Sequence, residues 1–283
     1  MTPAEIAADE QRQAVRALLA TPLLRAGRDD DMLVLVRRHT AALVAFFRDE
    51  LGWSLYVGTD LVRLAKVPGR VDDAHRGLVD RRGEPLSRRR YVLVALSMAA
   101  LSRADSQTTL HQLAEEIVLL AKSDEALAEA GFFFALEAQA DRRDLVAVIL
   151  WLLDHGVLVH VDGQEEGFVR QRSDVLYRVD HEVLARLPIW RVPPTLTRHQ
   201  AGERRLWELL GETPEEEAPE ALRRHRLARR VVDDPVVYYD DLDEPHARYL
   251  LAVRGTVLRR LADARSMRHP ARPCARLNPP SPP

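Results

Sequence analysis

The sequence predicts a mainly α-helical protein with small β-hairpin wings, an α+β class organised as winged-helix units. The first observation is the stretch Asp141 to Val161, DRRDLVAVILWLLDHGVLVHV. Leu145, Val148, Ile149, Leu152 and Leu153 recur at helical spacing, and His155-Gly156 supplies a stop. Val157 to Val161 then alternates as a strand, 163–167 turns, and Phe168 to Val179 returns as a second strand. The second observation is the order of elements before it, two helices and an insertion, which with the two strands gives a winged-helix sequence. The third is a shorter helix–helix–hairpin pattern within the first 68 residues.

Taken in order, residues 4–27 read as an amphipathic helix with Ile6, Val15, Leu18, Leu19, Leu23 and Leu24 on one side, kinked or divided at Pro22. Asp29-Asp30-Asp31 suits the N-terminus of a second helix from Met32 to Glu50, with Leu35, Leu43, Phe46 and Phe47 as its core. Gly52 breaks it, and Trp53–Val57 with Leu61–Val67 reads as a hairpin around Gly58-Thr59-Asp60. This module, 1–68, is a partial winged helix at most. Residues 69–87 read as a charged, turn-rich linker.

Residues 88–187 are expected to form the winged-helix domain. A helix runs from Arg88 to Ala104, and Thr109 with Gln112 forms a capping box for a helix from Leu110 to Ala121. An insertion at 122–140 carries Phe132-Phe133-Phe134 and is long for a helix–helix connection. A short helix at Asp180–Leu187 closes the domain. Residues 188–264 read as a proline-containing linker anchored by Trp190, helices over 203–231 broken at Thr213–Pro219, a strand at Val236–Tyr239 and a helix from Pro245. These are expected to begin a C-terminal domain. Residues 265–283 turn arginine- and proline-rich, lose apolar periodicity, and are expected to be disordered.

Composition narrows the function classes. At 283 residues the chain is long enough for two cores. Its 41 Lys+Arg stand against 43 Asp+Glu, which argues against a strongly basic free-standing nucleic-acid binder. The single cysteine, Cys274, excludes an internal disulfide framework and a cysteine-cluster metal site. The N-terminus has no signal-peptide pattern and no apolar run reaches bilayer length, so a cytoplasmic protein with no membrane role is expected.

No catalytic, cofactor-binding or metal-binding constellation is expected. The ten histidines form no HExxH pair, and no Walker A loop, GxGxxG or GxSxG is present. Asp240 and Asp241, beside Tyr238 and Tyr239, are weighed as a carboxylate metal or nuclease site and more simply precede the helix at Pro245. Val146 to Leu153 is apolar on nearly every side, whereas a base-reading helix needs an exposed polar face. That helix is therefore expected to be buried or partner-facing. Arg142 and Arg143 at its start, Arg170 and Arg172 on the wing, and Arg223 and Arg224 in a later basic run are candidates for DNA-phosphate contact, with solvated or ion-paired arginines as the alternative. Phe132, Phe133, Phe134 and Trp151 are the candidates for partner docking, with ordinary core as the alternative.

Five segments carry a resemblance: EQRQAVRALLATPLL (10–24), ELGWSLYVGTDLVRLAKVP (50–68), RRYVLVALSMAALSRADSQTTLHQLAEEI (89–117), SDVLYRVDHEVLARL (173–187) and RRVVDDPVVYYDDL (229–242). Over residues 10–262 the chain resembles the MukE-like, or kite, subunits of Wadjet-type bacterial anti-plasmid complexes. The resemblance implies tandem winged-helix domains, a homodimer and docking on a kleisin-like subunit. It also implies an SMC-type ATPase as partner, an indirect relation to a topoisomerase-VI-like nuclease subunit, and double-stranded DNA engaged within the nucleoid-associated complex. It carries over no catalytic residue. Members of that family continue well beyond the helix after DDPVVYYDDL, so a truncated or frameshifted C-terminus is expected here. The rival reading is a stand-alone winged-helix DNA-binding transcription regulator.

Overall fold

The structure is a computed structural model that describes residues 2–71, 77–163, 174–194, 196–197, 199–234, 236–238, 242, 246–248, 251 and 276–278. The chain divides into two compact units, Met1–Asp73 with Ile189–Pro283, and Ala74–Pro188. The class is mainly helical with small antiparallel sheets.

In the first unit α1 spans Pro3–Ala20, opened by a capping box between Thr2 and Glu5. The amphipathic pattern predicted through residue 27 does not stay helical. Thr21-Pro22 ends the helix, and Leu23–Arg25 forms β1, with both leucines buried. Asp29 stands at the N-cap of α2 (Asp30–Arg38) without a side-chain cap bond. Its carboxylate instead accepts from the Arg25 amide at 2.9 Å, while Asp30 accepts from the Gly27 amide at 2.8 Å, so these acids fix the turn.

The single helix predicted from Met32 to Glu50 is two, α2 and α3 (Thr40–Leu51), divided at His39. His39 Nε2 lies 2.7 Å from a Glu10 oxygen on α1, and Arg38 reaches the other oxygen at 2.6 Å. The Thr40 hydroxyl donates to the Val36 and Arg37 carbonyls, a local bond that competes with helix continuation. Ser54–Val57 (β2) and Leu61–Ala65 (β3) form the expected hairpin. β1 joins its other edge, giving an antiparallel sheet in the order β1-β3-β2.

The second unit repeats this plan. Its helix α4 (Arg88–Leu101) is capped by Ser87, whose hydroxyl accepts from the Arg90 amide. Strand β4 (Gln107–Thr109) runs straight into α5 (Leu110–Ser123), and Thr109 and Gln112 form the predicted capping box. A short helix α6 (Glu125–Glu129) lies in the insertion, followed by α7 (Gln139–Asp154), β5 (Leu158–Asp162), β6 (Leu176–Val179) and α8 (His181–Arg186). The sheet order is β4-β6-β5, all antiparallel. Setting aside the short α6 and α8, both units thus run helix, short strand, helix, helix, strand, strand, with the last strand in the middle of the sheet. The return strand predicted from Phe168 begins, among the described residues, at Leu176.

Residues 189–234 do not stand apart from the N-terminal module. Helix α9 (Gly202–Leu209) and helix α10 (Glu220–Asp233), flanking a 3-10 turn at Glu215–Glu217, supply Trp207, Leu210, Ala228, Val231 and Val232 to the core that holds Leu18, Phe47 and Trp53. The linker's anchor is Ile189, packed on that core; Trp190 is 51% exposed. Val236–Tyr238 (β7) pairs in parallel with Arg276–Asn278 (β8), so three residues of the tail expected to be disordered are a strand. The helix predicted from Pro245 shows His246–Arg248 and Leu251 as helical, and its remainder lies outside the described residues.

Two glycines let α10 approach closely. Gly52 caps α3 at φ 61°, and a Cβ there would meet His225 Nδ1 at 2.6 Å and an Arg229 nitrogen at 2.9 Å. A Cβ on Gly69 would meet the Arg226 carbonyl at 2.6 Å. Gly52→Ala therefore combines a left-handed penalty of about 1–2 kcal/mol with a clash. Gly27→Ala, at φ 77° with open space around it, bears the conformational term alone. Urea unfolding is expected to place Gly52→Ala clearly below Gly27→Ala in midpoint; equal midpoints would show that α10 does not press on Gly52.

Candidate interaction surfaces

The helix α7 is a core helix. Leu145, Val148, Ile149, Trp151 and Leu152 are buried, and between Asp141 and Asp154 only Arg143 is exposed. Trp151, a docking candidate from the sequence, is 6% exposed and stacks on the His155 ring at 3.9 Å between centroids. It packs inside the unit and offers a partner nothing. The His155 ring in turn bonds the Trp151 carbonyl at 2.8 Å, closing the helix end where His155-Gly156 was expected to stop it.

The phenylalanine run is split three ways. Phe134 is 3% exposed, Phe132 is half-buried, and Phe133 is 75% exposed. The Arg89 guanidinium lies 5.3 Å from the Phe132 ring centroid and 5.8 Å from that of Phe134, cation–π distances for both. The same guanidinium binds Asp141 at 2.7 Å and Asp144 at 3.4 Å, and Arg90 binds Asp144 at 2.9 Å. Two residues of the Arg88–Arg90 cluster are thus engaged by α7 acids one turn apart. Only Phe133 of the three rings remains a docking surface.

The six phosphate candidates part company as well. Arg142 donates to the Leu136 and Glu137 carbonyls at 2.6 and 3.0 Å, which fixes the loop before α7. Arg223 is half-buried, with its Nε buried and without a partner. Arg143 and Arg224 are exposed. Arg170 and Arg172 lie outside the described residues, as do Asp240 and Asp241. Among the described residues no group of three His, Cys, Asp or Glu side chains gathers as a metal site, and no helix is long and apolar enough to cross a membrane.

The basic run of α10 holds the feature least visible in the sequence. Arg226 and Arg229 are each 1% exposed. Both reach the single carboxylate of Glu212, at 3.4 Å and 2.8 Å. Arg226 also lies 3.6 Å from the Trp207 ring centroid and donates to the Thr213 carbonyl. Arg229 donates to the Leu51 carbonyl at 2.7 Å and the Pro68 carbonyl at 3.4 Å. The sequence shows a dense basic run; that one glutamate fourteen residues upstream serves two of its members has no signal in spacing or periodicity. Arg204 pairs instead with Glu217, at the surface, at 2.9 Å.

Beside this network His225 Nε2 donates to the Asp49 carbonyl, 3.1 Å away. Partial burial holds its imidazole below the ordinary value, helped by the Arg229 and Arg224 charges and opposed by the Asp49 bond and by Glu212. The unfolded chain's histidine titrates near 6.5, so it takes up protons before the folded one does. Stability is then fully present above that value and falls as pH drops through about 6.5 toward the lower folded value. Urea midpoints are expected to fall between pH 7.5 and 5.5, and His225→Gln, which keeps a donor for Asp49, is expected to flatten that decline. An unchanged slope in the variant would remove His225 as its source.

Glu212→Gln removes the charge of the carboxylate that both buried guanidinium groups reach. Breaking a buried ion pair from one side costs about 3–5 kcal/mol, so chemical unfolding of this variant is expected to show a loss in that range. A loss below about 1 kcal/mol, the scale of surface ion pairs, would mean the pair is solvated in solution.

No curated protein and no solved structure matches the chain. A protein-family model, described as "Protein of unknown function (DUF2398)", matches residues 15–272. That match takes in both units and nearly the whole of the sequence, and the chain belongs to the DUF2398 family.

Proposed function

We propose that this chain is a MukE-like, or kite, accessory subunit that performs no chemistry itself. It binds a kleisin-like protein and helps an SMC-type ATPase complex engage double-stranded DNA in defence against plasmids. The observation that carries this reading is the repeated plan of the two units: helix, short strand, helix, helix and hairpin, with sheets ordered β1-β3-β2 and β4-β6-β5. That is the element order of a winged helix, and two such units in one chain agree with a tandem winged-helix subunit. In this reading the N-terminal module is a full unit, because β1 supplies the strand that makes it one.

The third helix of each unit supports a protein-binding role over base reading. In α7 Leu145, Val148, Ile149, Trp151 and Leu152 are buried, and Val146, Ala147, Leu150 and Leu153 on its half-buried side are apolar. In α3, Leu43, Phe47 and Leu51 are buried and the exposed positions are Ala41, Ala42, Arg48 and Asp49. Polar side chains able to read base edges are thus sparse on both helices, Gln139 and Arg143 on one and Arg48 on the other. DNA would be held through phosphates, by exposed arginines such as Arg143 and Arg224, within an assembly that also includes the ATPase. A nucleoid-associated, cytoplasmic location and a homodimer belong to the same proposal.

Co-expression with a kleisin-like subunit of a Wadjet-type complex, followed by light scattering of the purified complex, tests the reading. The expected result is a stable complex holding two copies of this chain. The full-length Arg143→Glu/Arg224→Glu variant is expected to form that complex while losing DNA affinity, with a salt slope shallower by about 0.9 per lost phosphate contact. Absence of any complex, with sequence-selective DNA binding by this chain alone, would replace the kite reading with that of a transcription regulator.

A further inference from the structure

The insertion between α5 and α7 is built to hold one side chain outward. An exposed phenylalanine alone carries no meaning, since folded surfaces are rich in apolar atoms. Here every neighbour of Phe133 is tied down. The Leu127 carbonyl accepts from the Phe132 amide at 2.9 Å, and Gly131 turns the chain out of α6 at φ 71°. Phe132 and Phe134 lie against Arg89, itself held by Asp141 and Asp144. Leu136 sits at φ 62°, a left-handed conformation that a leucine adopts only when its surroundings impose it. Its carbonyl, and that of Glu137, are bound by Arg142. An anchor whose backbone is already fixed loses little entropy on binding, and buried aromatic anchors dominate protein interfaces.

Charge selects the partner. Between Lys122 and Asp141 the chain carries Asp124, Glu125, Glu129 and Glu137 and no lysine, arginine or histidine. All four acids are exposed, and none of the residues of α6 is buried. An acidic rim repels phosphate, so nucleic acid and anionic lipid are poor occupants. It suits a protein surface of opposite sign.

We propose that Phe133 is the aromatic anchor by which this chain docks on a protein partner, inserting into an apolar socket edged by lysine or arginine. The proposal rests on the reading of the chain as a subunit only in requiring a protein partner; it does not depend on which assembly that partner belongs to. Arg89 and Arg142 are positioning residues, acting through the loop that carries Phe133.

The test replaces Phe133 with the photo-crosslinking residue p-benzoylphenylalanine in the full chain, expressed in the organism that encodes it. The same replacement at Val79, 47% exposed in the same unit, is the control. Phe133 is exposed enough that the replacement leaves folding intact, which circular dichroism of the purified chain verifies. The expected result is one discrete protein adduct from position 133 and none from 79, mapping to a peptide with apolar residues beside lysine or arginine. The adduct should fall at least fivefold in a Glu125→Lys/Glu129→Lys background. No adduct above the control, an adduct to nucleic acid or lipid, a peptide lacking basic residues, or indifference to the charge reversal would each overturn the proposal. An adduct of the expected kind on a kleisin-like protein supports this anchor and the kite reading together. The same adduct on an unrelated protein retains the anchor and removes the kite reading.

Discussion

The first unit depends on Arg229. Its guanidinium reaches the Leu51 carbonyl, at the end of α3, and the Pro68 carbonyl, beyond β3, while a third contact goes to Glu212. A helix end leaves carbonyls without intrahelical partners, and here a side chain from 178 positions later fills that need. Burying a guanidinium is costly; burial depresses the Arg229 pKa, against the restoring pull of Glu212. The arrangement holds because carbonyls and a carboxylate together replace the lost water. Arg226 shares the carboxylate and adds the face of Trp207. The consequence is topological. A segment remote in sequence becomes part of the N-terminal module's core, with its side chains crowding Gly52 and its backbone crowding Gly69.

The second unit is held by more local means. Thr109 ends β4 and caps α5, the Leu110 amide donates to the Val175 carbonyl, and the Asp174 carboxylate accepts from the His111 and Val175 amides. One corner therefore locks a strand, a helix start and the return strand together. Packing then follows from the apolar stripe of α7, which sits against α4 and leads directly into β5. The contrast between the units is one of sequence distance: the second unit's corner ties residues 63 positions apart, whereas in the first Arg229 reaches a carbonyl 178 positions away.

That contrast explains what was legible. The Thr109–Gln112 capping box, the α7 stripe, the stop at His155-Gly156 and the hairpin around Gly58 announce themselves within a window of residues, and each is found where the sequence placed it. The division at His39 is hidden, because no glycine or proline marks it; the Thr40 hydroxyl bonds to Val36 and Arg37 and the His39 contact with Glu10 on another helix are seen only in the structure. Leu23 and Leu24 fit an amphipathic helix equally well as a buried edge strand; pairing with β3, not their own propensity, decides for the strand. Trp190 and Trp151 exchange expected roles for a similar reason. Indole size favours burial, but a neighbouring proline-rich turn leaves one exposed, while the other finds a stacking partner four residues on. Of the site candidates, Phe133 is distinguishable from Phe132 and Phe134 only once Arg89 is seen between the latter two.

A chain with nearly balanced charge can still be strongly polarised in how it uses that charge. In this protein many arginines face inward or sideways. Arg89 and Arg90 clasp α7, Arg142 fixes a loop, and Arg226 and Arg229 bind a core carboxylate and backbone carbonyls. Such planar, multiply donating groups suit structural work better than lysine does. Other arginines, Arg143 and Arg224 among them, stay exposed, and the insertion that displays Phe133 is acidic. Clustering in the sequence is therefore a poor guide to which arginines face solvent: within one run on α10, Arg224 is exposed while Arg226 and Arg229 are buried against Glu212.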